Sequence, residues 1–255
     1  AVDAELVPIQ VTPAELANHV AGADGLITTS QPVTAAVIEA MPNCRGIVSA
    51  SIGFDHIDLA AATARGIKVA NVPDFCIREV ANHTMGLLLA CVRKIPRLNA
   101  DTHAGKWDRT VFQPMAPIHG ETMGLISFGR IARQVAKRAQ AFEMNVIAYD
   151  PYVDAATAAD FGVELVSLED LLRRSDYVSV HVPRTPETIN MIGAAELAMM
   201  KPTAMIFNTG RGGVIDEAAL AAALRSGQLA GAGLDVFAHE PIEPDNPLLG
   251  IETAI

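Results

Sequence analysis

Asp150, Arg211, Asp235 and Glu240 each stand at or just past the end of an apolar run in this sequence, a placement from which side chains can hold a ligand at the edge of a sheet. The first follows a glycine turn, Ser127-Phe128-Gly129-Arg130-Ile131-Ala132, that joins an apolar run to a helix-period stretch. Such a turn lets backbone N–H groups approach a pyrophosphate at a helix N-terminus. A carboxylate ending the next strand then accepts hydrogen bonds from the adenosine ribose hydroxyls. The pattern expected is G-x-G-x-x-G. Ala132 at its third glycine still permits close helix packing, whereas Ser127 at its first puts a Cβ where the chain turns sharply. Asp150 repels a 2′-phosphate, and Pro151-Tyr152 rather than an arginine follow it, so these residues favour NAD over NADP.

Arg211 lies in Asn208-Thr209-Gly210-Arg211-Gly212-Gly213, directly after the run Ala204–Asn208. A guanidinium there can hold a carboxylate through two parallel N–H bonds, and glycines on either side give it room. Glu240 could orient an imidazole and raise its pKa, as acid–base chemistry requires. The turn Ser51-Ile52-Gly53, within Ser49–Asp58, offers successive backbone N–H groups as an anion nest suited to a carboxylate. Each also has a plainer reading: a glycine turn made for packing, a solvated surface arginine, a loop carboxylate, an ordinary strand-to-helix turn. His239 adds nothing, because neighbours in sequence point apart. No metal site is expected.

The elements that must position these residues alternate as in parallel βαβ units, so the fold class is α/β. Strands are expected at Gly25–Thr28, Gly46–Ala50 and Lys68–Val72, with helices at Pro13–Ala21, Ala35–Ala40 and Leu59–Arg65. A long apolar helix runs from Glu79 to Arg93, ended by Pro96. A second series follows from Gly120, with strands at Met123–Phe128, Val146–Tyr149, Glu164–Val166, Tyr177–Val182, Ala204–Asn208 and Gly231–Val236. Helices at Ile131–Ala141, Leu168–Arg174, Ala194–Met200 and Glu217–Ser226 alternate with them, the second opened by a Ser167-x-x-Asp170 capping box. Six such strands are what a doubly wound nucleotide-binding sheet requires. The crossover is placed between Arg93 and Gly120, giving a substrate domain over 1–96 and a nucleotide domain over 97–255.

Of the 255 residues, half are apolar and the net charge is −10. An acidic chain argues against a nucleic-acid partner. No apolar run approaches the roughly 20 residues of a membrane span, so neither anchoring nor export is expected. Cys44, Cys76 and Cys91 are far apart, without C-x-x-C spacing; buried thiols in a reducing cytoplasm are the expectation.

Taken together, these segments resemble the D-isomer-specific 2-hydroxyacid dehydrogenases, the family of phosphoglycerate, D-lactate and formate dehydrogenases. The motifs that carry the resemblance are Ile52–Asp58, Gly66-Ile67-x-Val69-x-Asn71-Val72-Pro73, Glu79-Val80-Ala81, Gly105-Lys106-Trp107, the glycine turn, Asn208–Gly213 and Leu234–Phe237. Gly120-Glu121-Thr122 and Tyr149-Asp150-Pro151-Tyr152 look most like the branch containing the C-terminal-binding-protein corepressors. The resemblance implies a Rossmann-type doubly wound parallel sheet plus a flavodoxin-like substrate domain, here trimmed at both chain ends. It implies NAD as cofactor, a small 2-oxo or 2-hydroxy acid as substrate, and a homodimer formed through an arm from Arg97 to Pro117. By position, Arg211 would bind the 2-oxo acid, Glu240 would pair with a catalytic histidine, and Ser51, Ile52 and Gly53 would supply backbone donors. Phe128, Gly129, Arg130 and Ile131 would meet the pyrophosphate, Asp150 and Pro151 the ribose, and His181, Val182 and Pro183 the adenine side. Thr188, Thr209, Gly210 and Asp235 would complete the nucleotide pocket. The family's catalytic histidine follows its glutamate by some twenty residues, and its place here falls beyond Ile255. Ser127, and Glu143 where relatives carry a helix-ending glycine, each stand at about 1 kcal/mol of backbone cost, which would weaken NAD binding. A non-catalytic NAD(H)-responsive regulator of the same fold is the alternative reading.

Overall fold

A strand, a helix and a second strand in sequence form a right-handed parallel crossover, and repeated crossovers build a sheet with helices over its faces. A computed structural model of the chain, describing residues 4–108, 110, 115 and 117–255, has this architecture in two units, 1–76 and 77–255.

In the first unit, α1 (Leu16–His19), β1 (Gly25–Thr28), α2 (Ala35–Glu39), β2 (Gly46–Ser49), α3 (Leu59–Ala64) and β3 (Lys68–Asn71) follow in order. The three strands are parallel, ordered β1-β2-β3, with Gly25 opposite Gly46 and Gly46 opposite Lys68. Its core is Leu16, Val33, Ile38, Met41, Ile47 and Ile57 with their neighbours. Thr34 and Asp58 cap α2 and α3, Asp58 accepting from the Ala61 N–H at 2.9 Å. The helix expected over Pro13–Ala21 shrinks to the single turn of α1, whose N-terminus lacks a side-chain cap.

The second unit opens with α4 (Ile77–Val92) and α5 (Ile95–His103). It continues with β4 (Thr122–Ile126), α6 (Arg130–Ala141), β5 (Asn145–Tyr149), α7 (Ala155–Ala159), β6 (Glu164–Leu165), α8 (Leu168–Arg174), β7 (Tyr177–Val180), α9 (Ala194–Met199), β8 (Met205–Asn208), α10 (Glu217–Arg225) and β9 (Gly231–Leu234). All six strands are parallel in the order β6-β5-β4-β7-β8-β9, so the direction of winding reverses between β4 and β7. That reversal opens a crevice at the carboxyl ends of the strands, where ligands of open α/β sheets bind.

Helices cover both faces because successive strand residues point to opposite sides. Met123 and Leu125 pack with Ala81, Met85, Leu88, Ala132, Val135 and Ala139 beneath α4 and α6. Ile126, Val178 and Ile206 pack with Leu171, Leu197, Leu220 and Leu224 on the other side. Gly124 is demanded by this second layer: a Cβ there would overlap the Ser175 Oγ and lie 2.7 Å from Leu171 Cδ2 of α8.

The expected boundary at residue 96 moves to 76. The apolar stripe of α4, Ala81, Met85, Leu88 and Val92, belongs to the core of the second unit, so the helix goes with the sheet it covers. Pro96 does not end α4. That helix stops at Val92, Lys94 turns left-handed at φ 52°, and Pro96 sits in the first turn of α5, where its missing N–H costs nothing. The unforeseen α7 is a five-residue alanine-rich helix started by Asp154, which accepts from the Thr157 N–H at 2.8 Å. Ser167 caps α8 as expected, accepting from the Asp170 N–H at 3.0 Å.

Candidate nucleotide and substrate site

Five parallel strands deliver their carboxyl ends, and with them residues 127–131, 150–152, 181–183, 209–213 and 235, to one edge of the sheet. The expected strand through Phe128 stops at Ile126 because Ser127 takes φ 77°, the left-handed region that the first fingerprint glycine serves in other sequences. Its amide still donates to Tyr149 O at 2.8 Å, and its hydroxyl lies 3.2 Å from Asp150 Oδ2. The Phe128 N–H donates to the same Oδ2 at 2.8 Å, while the Tyr152 N–H donates to Oδ1 at 2.9 Å. Asp150 is therefore fixed at the tip of β5 by three donors from its own turn and the fingerprint turn.

Gly129 is the N-cap of α6, and Arg130 and Ile131 open its first turn. An added Cβ on Gly129 would meet nothing nearer than Ser127 Oγ at 3.8 Å, so packing does not demand this glycine. The open space there leaves the helix N-terminus room for the close approach that a pyrophosphate requires. The Phe128 ring is directed into the core, edge-on to Phe161 at 5.6 Å, with the Arg133 guanidinium over both rings. What Phe128 can offer a nucleotide is its main chain.

At the end of β7 the His181 N–H donates to Ile126 O, and its Nε2 lies 2.9 Å from the hydroxyl of buried Ser179. Burial pushes the imidazole down to about 4. Pro183 and Thr188 close the next loop on itself: the Thr188 hydroxyl donates to Pro183 O at 2.6 Å and accepts from the Thr185 N–H at 2.8 Å. The Thr188 hydroxyl is thus engaged in shaping the loop that follows Val182 and Pro183.

The end of β8 is folded by Asn208, 2% exposed, whose amide donates to Arg211 O at 2.8 Å and whose Oδ1 accepts from the Gly210 N–H at 3.0 Å. Arg211 is half-buried, its Nη1 donating to Gly210 O. The flanking glycines have a more specific reason than room for a guanidinium. A Cβ on Gly212 would overlap the carbonyl of Phe237, and Gly213 takes φ 75°. Thr209 is anchored from α4, its hydroxyl 2.8 Å from that of buried Thr84.

Past β9, the Asp235 N–H donates to Asn208 O, and its carboxylate lies 3.3 Å from His83 Nε2. Glu240 is exposed and turns back on its own loop to accept from the Phe237 N–H at 3.0 Å; His239 is also exposed. Asn208, Thr84 and His83 were not anticipated as site residues. The polar triplet Asn82-His83-Thr84 inside an otherwise apolar helix was the available signal.

In the first unit, the turn after β2 sends its carbonyls inward. Ser51 O accepts from the Val72 N–H, Ile52 O from Asn71 Nδ2, and Gly53 O from the hydroxyls of Ser49 and Ser51. Planar trans peptides then aim the N–H that follows each of these carbonyls the opposite way. Among the described residues no group of His, Cys, Asp and Glu side chains could hold a metal ion, and no helix is long and apolar enough to cross a membrane.

The strand order and the carboxylate-fixed glycine turn define the second unit as a Rossmann-type dinucleotide-binding domain. Residues 85–255 match the D-isomer specific 2-hydroxyacid dehydrogenase, NAD binding domain, and the chain belongs to that family. It is 45% identical over 247 residues to a D-3-phosphoglycerate dehydrogenase of Methanocaldococcus jannaschii, covering 96% of this chain and 47% of that protein. The chain thus spans about half the length of this relative. A glyoxylate reductase of Korarchaeum cryptofilum is 41% identical, with 93% of this chain and 73% of the relative covered. Among solved structures, a D-lactate dehydrogenase from Aquifex aeolicus complexed with NAD and lactic acid superposes with a TM-score of 0.86 at 30% identity, over 94% of this chain and 76% of that one.

Proposed function

We propose that the protein is an NAD-dependent dehydrogenase interconverting a small 2-oxo acid and a D-2-hydroxy acid. The observation that carries this reading is Arg211, presented by an Asn208-folded glycine loop at the same sheet edge as the Asp150-fixed turn. A guanidinium so placed can bind a 2-oxo acid through its carboxylate and polarise the keto oxygen. NAD, when bound, supplies hydride exchange at the substrate carbon. Asp150 takes the ribose hydroxyls, Gly129 to Ile131 the pyrophosphate, and His181 to Pro183 the adenine side. Thr209, Gly210 and Asp235 flank the nicotinamide end, and Glu240 is the carboxylate that would pair with a histidine; in the first unit, taken by itself, the Ser51–Gly53 turn offers N–H donors suited to a carboxylate. Glyoxylate and lactate in the relatives' names support a short 2-oxo acid as substrate class.

The protein acts in this reading as a cytoplasmic homodimer. Three free cysteines fit a reducing compartment, and the arm Arg97–Pro117 exposes Trp107 at 84%. Positions 109, 111–114 and 116 of that arm lie outside the described residues. The test is NADH oxidation by the full-length protein across a panel of 2-oxo acids, beside Arg211→Gln. Turnover that falls at least about a hundredfold in the variant with unchanged NADH binding supports the reading. Failure of the wild type on every acid, or turnover indifferent to Arg211, refutes it.

A further inference from the structure

We propose that Ser127 is the residue that sets nucleotide selectivity, holding the Asp150 carboxylate where a 2′-phosphate would have to lie. This rests on the nucleotide-binding reading above. A first fingerprint glycine has no side chain with which to do this; Ser127 occupies the same left-handed position at φ 77° and gains a hydroxyl directed at the tip of the neighbouring strand.

A carboxylate has about four acceptor positions, and Asp150 uses three of them, on Ser127 Oγ, the Phe128 N–H and the Tyr152 N–H. Two of the donors are backbone N–H groups, which every residue type except proline would present. The serine hydroxyl is the one donor among the three that the side-chain identity contributes. It closes the ring between β4 and β5, so the carboxylate is held from both strands through side chain as well as main chain.

A ribose with a free 2′-hydroxyl can donate to the remaining acceptor position without moving the carboxylate. A 2′-phosphate brings two negative charges against a fixed one and can enter only if Asp150 rotates away, breaking its bonds to the turn. Hydrogen bonds to a charged group are stronger than neutral ones, so the serine makes that rotation harder. The hydroxyl also lies 3.8 Å from where a Cβ of Gly129 would sit.

The experiment measures Kd for NADH and NADPH by nicotinamide fluorescence on wild type, Ser127→Ala and Ser127→Gly. Alanine removes the hydroxyl and keeps the left-handed strain; glycine removes both. The Kd ratio of NADPH to NADH is expected to fall about tenfold in both variants, mostly through tighter NADPH binding. A general structural defect would move the two nucleotides together and leave the ratio unchanged. An unchanged ratio in both variants, with wild type saturating on NADH, overturns the role of Ser127 and leaves the nucleotide reading standing. A ratio that shifts in Ser127→Gly alone assigns the effect to backbone strain, and one that shifts in Ser127→Ala alone shows that loss of the hydroxyl does not suffice; either overturns it. A wild type that saturates with neither nucleotide refutes the nucleotide reading and this proposal with it.

Discussion

Gly129→Ala and Gly212→Ala are the same chemical change in two glycine turns at one sheet edge, and the structure gives them opposite outcomes. A methyl on Gly212 would overlap the carbonyl of Phe237 and lie 2.8 Å from the Ala238 nitrogen, against the 3.4 Å at which ordinary contact begins. Both obstacles are backbone, which cannot rotate aside as a side chain could. The loop carrying Arg211 must separate from the segment after β9, and Gly210, tied through Asn208, moves with it. Overpacking of this kind costs at the upper end of about 1–3 kcal/mol, which lowers Tm by roughly 6–12 °C in a unit of this size. A methyl on Gly129 meets nothing closer than 3.8 Å and sits at φ −73°, so its cost is the loss of a good N-cap residue, at most about 1 kcal/mol. That methyl stands at the mouth of the turn, and NADH affinity is expected to drop at least about tenfold. Differential scanning calorimetry and NADH titration read the two effects separately. The reasoning is refuted if Gly212→Ala melts within about 2 °C of wild type, or if Gly129→Ala binds NADH normally.

Three further outcomes are expected. Burial holds His181 at about 4 against an ordinary 6.5, so the unfolded chain takes up the proton first as pH falls. Its contribution is full above pH 6.5 and is lost between there and about 4, up to about 3 kcal/mol; melting curves of wild type against His181→Asn should converge over that window. Thr84→Val leaves the Thr209 hydroxyl without its 2.8 Å partner, and chemical denaturation should show a loss of about 1–2 kcal/mol with an unchanged m-value. The Cys91 thiol, pushed up to about 12 by burial, should resist alkylation at pH 8 in the native protein and label on unfolding, as mass spectrometry would report.

The legible parts of this chain were those set by short-range periodicity. The nine strands found among the described residues coincide with nine apolar runs read from the sequence, with ends displaced by one or two residues. Boundaries moved for local reasons that periodicity does not encode: a serine at positive φ stopped β4, and Pro96 began a helix instead of ending one. Glu143 does take the left-handed conformation at φ 62° expected of a helix-ending glycine position. Helix α7 stayed hidden because a five-residue alanine stretch has almost no hydrophobic period to detect.

By itself the sequence determined the alternation of strands and helices, the identity of the glycine turn and the order Asp150, Arg211, Asp235, Glu240 along the chain. Tertiary structure decided what those residues touch. Ser127 reads as a defect in a fingerprint until Asp150, twenty-three positions on, is found within reach of its hydroxyl. Gly212 reads as freedom for an arginine until the Phe237 carbonyl is found against it, and His83 reads as a helix residue until Asp235 faces it. Each of these contacts joins residues far apart in sequence, through the parallel stacking of strand ends or the packing of α4 against the sheet. Local propensity acts over a few neighbouring residues, so it places each strand end but leaves open which partner the sheet will set beside it.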